Sequence, residues 1–152
     1  MYVLEALIAD EALIWKALPL YGAVVRLSQG KAMIPFSKWM REFYDIPRFP
    51  FTEGEPQLIP ESIVSIAAPI AKAGRVAYIE ANFFGGDGTQ ACVVWDSGGE
   101  ILRLFKEPKA INAALRLLGV EVRDAHDEFD ALDLGRHRDT ERWKAIWTST
   151  PP

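Results

Sequence analysis

Two strand-like runs, residues 75–84 and 89–95, are joined by only four residues, Gly85-Gly86-Asp87-Gly88. Parallel neighbours need a crossover of a dozen or more residues, so a link this short makes the two runs antiparallel partners. A second short turn, Asp96-Ser97-Gly98-Gly99, leads into a third run at 100–105. Three successive antiparallel strands therefore anchor the fold.

The rest of the chain builds around them. Residues 2–9 are apolar apart from Glu5 and read as a strand. Residues 10–18 carry helical spacing, with Asp10 as N-cap and Pro19 as the stop. Two short strands, 23–27 and 31–36, flank a turn at Ser28-Gln29-Gly30. A short helix at 37–44 has Ser37 as N-cap and places Trp39, Met40 and Phe43 on one face. The clearest helix opens at Pro60 or Glu61, buries Ile63, Val64, Ile66, Ala67, Ile70 and Ala71, and ends at Gly74. Another runs over 108–118 with Ile111, Ala114, Leu115 and Leu118 inward. Residues 120–122 add a short edge strand. A last helix at 139–147 groups Trp143, Ile146 and Trp147. Strand runs and helix runs are segregated, which predicts an α+β fold, a mostly antiparallel sheet with helices packed on one face. The predicted core includes Ile66, Ile70, Ile79, Phe83, Val94, Ile111, Leu115 and Leu118.

The 152 residues form one globular domain, 1–152, and a chain of this size buries enough surface to fold without disulfide or metal. No apolar stretch is long enough for a membrane span, and the N-terminus lacks the basic and apolar regions of a secretory signal. Cys92 is the only cysteine. These features predict a cytoplasmic protein. A net charge of −4 argues against a general nucleic-acid binder and suits a basic protein partner.

The glycine-rich turn lacks the lysine and hydroxyl of a phosphate loop, and no helix follows it. It is either an anion nest or an ordinary hairpin turn, and the hairpin accounts for its glycines. If the turn is Gly85 to Gly88, Phe84 pairs with Thr89, Asn82 with Ala91, Glu80 with Val93 and Tyr78 with Trp95. Tyr78, Glu80, Asn82 and Trp95 then share one face, and Ile79, Ala81, Phe83, Cys92 and Val94 the other. The second face is the more apolar and should meet the helices. The first is either a partly wet surface or a ligand pocket in which burial raises the glutamate pKa.

The proline-rich loop 46–60, with Pro47, Pro50, Pro56 and Pro60, offers Arg48, Phe49 and Phe51 as partner contacts. Alternatively it packs its phenylalanines on the core. The acidic stretch with Glu121, Asp124, Asp127, Glu128 and Asp130 either docks onto a basic partner or pairs with the arginines that follow. His126 and His137 lie nearby without a metal-ligand spacing, so no metal is assigned. No GxSxG elbow is present, and Cys92 falls on the core face of its strand. No catalytic residue and no cofactor is therefore assigned.

Residues 77–95, with the pattern YxExxFFGGxGxQ, are joined by Ile111-Asn-Ala-Ala-Leu-Arg-Leu-Leu-Gly119, Asp127-Glu-Phe-Asp130 and Leu134-Gly-Arg-His-Arg138 before Trp143. Together they resemble a group of small uncharacterised bacterial proteins, some of them similar in size and acidity to immunity proteins of bacterial toxin systems. The resemblance implies a non-catalytic binding protein that neutralises a toxin by protein–protein contact. The alternative is a small-ligand enzyme or sensor around Glu80, Asn82 and Trp95. The surplus of aromatics also allows a homodimer.

Overall fold

The structure, a computed structural model, describes residues 1–17, 23–54 and 58–144. The expectations at Leu18, Pro19, Pro56, Ile146 and Trp147 lie outside these residues. Among the described residues six strands form one sheet: β1 (Tyr2–Asp10), β2 (Val25–Arg26), β3 (Lys31–Pro35), β4 (Val76–Phe84), β5 (Asp87–Asp96) and β6 (Gly99–Phe105). Their order is β2-β3-β1-β4-β5-β6, and every neighbouring pair is antiparallel. The helices are α1 (Glu11–Lys16), α2 (Lys38–Tyr44), α3 (Glu61–Ala71), α4 (Ala110–Leu117), α5 (Glu128–Ala131) and α6 (Thr140–Lys144). This is the α+β arrangement expected from the segregated runs.

The helices lie on both faces of the sheet, not on one. On the first face α1, α2, α3 and the segment 46–54 cover Leu7, Ile34, Tyr78, Val93 and Trp95. On the second, α4, α5 and the chain up to Trp143 cover Leu4, Ile8, Ile79, Cys92 and Val94. The reason lies in β1 and β4. β1 is buried without a break from Leu4 to Ala9 and β4 from Val76 to Asn82, so alternate side chains on either face need cover. Seven of the eight predicted core residues are buried, and Phe83, near the hairpin tip, is partly covered.

The central hairpin is tighter than expected. Phe84 pairs with Asp87, Asn82 with Thr89, Glu80 with Ala91 and Tyr78 with Val93. Gly85 and Gly86, at φ 59° and 88°, form a two-residue turn whose positive angles match the right-handed twist of the strands. Gly88 lies inside β5, where a Cβ would run into the Asn82 carbonyl and the Phe83 backbone. Moving the pairing by two residues preserves parity, so the predicted division of side chains between faces stands.

Two local expectations change. Residues 120–122 form no strand, because the Val120 amide donates to the Leu115 carbonyl and closes the end of α4, with Gly119 at φ 86°. In α2, Ser37 caps through its hydroxyl and Met40 is buried, but Trp39 and Phe43 turn outward.

Candidate functional site

Glu5 of β1 lies directly opposite Glu80 of β4. Paired residues in an antiparallel ladder share a face, so both carboxylates enter the first face, and both are fully buried. Buried carboxylates need donors, and here most donors come from the proline-rich segment. The Phe51 amide donates to Glu80 Oε1 at 3.3 Å and the Thr52 amide to Oε2 at 2.6 Å. The Tyr78 hydroxyl adds a third bond to Oε1 at 2.7 Å. Glu5 Oε1 accepts from the Phe49 amide at 2.9 Å, and Arg41 Nη2 of α2 sits 2.6 Å from Glu5 Oε2. Beside this pair, Asn82 donates through Nδ2 to Glu53 Oε1 at 3.0 Å.

The segment is therefore clamped to the sheet through its backbone. Its conformation is strained: Phe49 has φ 43°, an uncommon angle for a residue with a side chain. The side chains reinforce the clamp. Phe51 meets the Tyr78 ring edge-on at 5.6 Å and stacks on Phe105 at 4.7 Å, while Tyr78 stacks on Phe36 at 5.7 Å.

Burial pushes the Glu5 carboxyl up to about 7. Arg41 and the Phe49 amide pull it down, and the charge of Glu80 pushes it further up. Burial also raises the Tyr78 hydroxyl well above its usual value, with the two carboxylates adding to the effect, so it stays a proton donor. Glu5 thus exchanges its proton near neutrality, while Glu80 accepts three hydrogen bonds from the chain itself.

Of the four residues predicted to line a pocket, Tyr78, Glu80 and Asn82 meet under the segment 46–54. Trp95 shares their face but stands at the far end of the ladder, opposite Val76. The space above them is filled by Phe51 and the loop backbone. Phe49 and Phe51 are buried, which overturns their reading as partner contacts: apolar rings on a stiff loop gain more from the core than from water. Arg48 is exposed, with its guanidinium 5.5 Å from the Phe49 ring centre.

The acidic stretch divides. Asp127 caps α5 by accepting from the Asp130 amide at 2.8 Å and also accepts from Asn112 at 3.1 Å. Glu128 is buried against Arg116 at 2.9 Å. These two belong to the fold and not to a free surface. Glu121 is exposed and pairs with Arg123 at 3.2 Å, and Asp124 and Asp130 are exposed. Among the described residues no three His, Cys, Asp or Glu side chains are grouped to hold a metal ion. Burial pushes the Cys92 thiol up to about 12, which leaves it a poor nucleophile.

Sequence reasoning missed Glu5 and Arg41. The signal for Glu5 was present, a lone charge inside an apolar strand. It also missed an aromatic surface: Trp39 and Phe43, 46% and 57% exposed, stack on each other at 5.1 Å. Compared with protein-family models, curated proteins and solved structures, the chain gives no match.

Proposed function

We propose that the protein is a non-catalytic binding protein that works in the cytoplasm through protein–protein contact, in its narrower form an immunity protein that neutralises a toxin. One observation carries this reading: α2 presents two large stacked rings to solvent while its Met40 anchors it in the core. Exposed tryptophan and arginine are the residue types on which interface energy concentrates. On the same helix Lys38 and Glu42 line, together with Arg48, a pocket of about 540 Å³ and supply polar groups of the kind found at an interface rim. No described helix is long and apolar enough to cross a membrane. The exposed Asp124 and Asp130 supply charge for steering a basic partner.

The enzyme or sensor alternative draws less support, since the Glu80 oxygens are already bonded to the chain's own donors. The test is affinity capture from the native host with the wild-type protein and a Trp39→Ala/Phe43→Ala variant. A single protein retained by the wild type and lost from an equally stable variant is the expected result. Equal retention, or retention of nothing, removes the α2 surface as the contact.

A further inference from the structure

The two edges of the sheet are unlike. β2 ends one side with only two residues, too short to template another strand. β6 ends the other with seven, and among the described residues its neighbour in the sheet is β5 alone. An antiparallel strand directs half its backbone groups to each side, so the outer half of β6 faces away from the sheet. Among the described residues, 100–105 make no backbone hydrogen bond outside the ladder with β5. A groove of about 420 Å³ lies beside this edge on the second face, between Leu104 and the Ala113 and Arg116 side of α4. Lys109 and Glu107 stand at its rim.

We propose that the outer edge of β6 takes an extended acidic segment of a partner protein as a seventh strand. The outward N–H and C=O groups, unpaired among the described residues, select an extended backbone. The groove receives an apolar side chain against Leu104 and Ala113. Charge selects the rest. Arg103 is paired with Glu100 and Arg116 with Glu128, whereas Lys106 and Lys109 form no ion pair among the described residues, and Glu107 lies between them in sequence. This leaves a local positive charge on a chain of net charge −4. A second copy would bring the same positive edge with it, so an acidic segment is the better complement. The inference rests on the binding reading only in taking the partner to be a protein, and it concerns a surface separate from α2.

The test is an amide NMR titration with the synthetic hexapeptide acetyl-Glu-Val-Asp-Val-Glu-Val-amide and its counterpart with lysine at the three acidic positions. The acidic peptide should shift the amides of residues 101–110 saturably. A Lys106→Glu/Lys109→Glu variant should bind it at least tenfold more weakly, and Trp39→Ala/Phe43→Ala should bind it unchanged, even if that variant loses the partner captured through α2. The proposal is overturned by unshifted 101–110 amides at millimolar peptide or by equal binding of the lysine peptide. It is equally overturned by loss of binding in the α2 variant, or by a peptide-free dimer in sedimentation that protects the same amides from exchange.

Discussion

The two faces of one sheet are closed by different physics. Alternate residues of β1 and β4 supply both. The second face is apolar between the sheet and α4: Leu4, Ala6, Ile8, Ile79, Val94, Ile111 and Leu115 meet there, and the buried carboxylate of Glu128 pairs with the exposed Arg116 instead of holding a loop to the sheet. The first face carries Glu5, Glu80 and Tyr78 within the same layer. Its cover is partly helical and partly the strained segment 46–54. An apolar helix docks by area alone, in any register that buries it well. A loop has unsatisfied amides, so it docks where acceptors wait for it. Two buried glutamates fix that docking to Phe49, Phe51 and Thr52, which area alone could not specify. Burying charge adds little net stability, because desolvation offsets the attraction, but removing one partner of a buried set is strongly destabilising.

The sharpest way to break the contrast is to remove an acceptor. Glu80→Ala leaves three donors without a protein partner and should cost about 3–5 kcal/mol. Hydrogen exchange should rise first at Phe51 and Thr52, and proteolysis within 46–54 should precede global unfolding. If the segment stays protected in that variant, the clamp does not hold it. On the second face Leu115→Ala should cost about 2–5 kcal/mol through lost burial and a cavity. Its effect should be global, lowering the denaturant midpoint with no selective opening of 46–54.

The faces should also differ in pH response. The Glu5 carboxyl moves from an ordinary 4.5 to about 7 in the folded protein. Between these values the folded chain keeps a proton that the unfolded chain has lost. Its contribution to stability is therefore full below pH 4.5 and falls as pH rises through that window, by up to about 3 kcal/mol. Denaturant unfolding at a series of pH values should show this downward slope in the wild type, and Glu5→Gln should flatten it. An unchanged slope in that variant would assign the effect elsewhere.

The smallest effects belong to the acidic stretch. Asp127→Ala should cost about 1 kcal/mol as a lost helix cap. Reversal of Asp124 and Asp130 to lysine should change stability by less than about 0.5 kcal/mol per site, while slowing capture of a basic partner at low salt. A large loss of melting temperature from that double reversal would place those two carboxylates inside the fold as well.

Much of the scaffold was legible because its signals are local. Apolar runs broken by Gly85-Gly86 and by Gly98-Gly99 define adjacent strands whatever else surrounds them. Even the misjudged turn length left the face division intact, since a shift of two residues preserves side-chain parity. Helical spacing at Ile63, Ile66 and Ile70, and at Ile111 and Leu115, marked the faces that are buried. The candidate site was half legible. Tyr78, Glu80 and Asn82 fall together because two-residue spacing along one strand is enough to align them.

The rest depends on contacts between distant parts of the chain. Glu5 meets Glu80 only once β1 takes its place beside β4, 75 residues later in sequence. Arg41 and the Phe49 amide reach Glu5 only after α2 and the following segment fold over the sheet. The outward turn of Trp39 and Phe43 was likewise hidden, because i and i+4 apolar residues mark a shared helix face without saying what that face meets. Which segments are strands and helices, and which side chains share a face, can be read from the residue pattern, since backbone geometry sets those periods. That both faces are covered, and that the carboxylates hold a loop instead of lining an open pocket, emerges only when the elements pack together. Burial and hydrogen-bond partners are properties of segments brought together, and neither is encoded in any one segment's pattern.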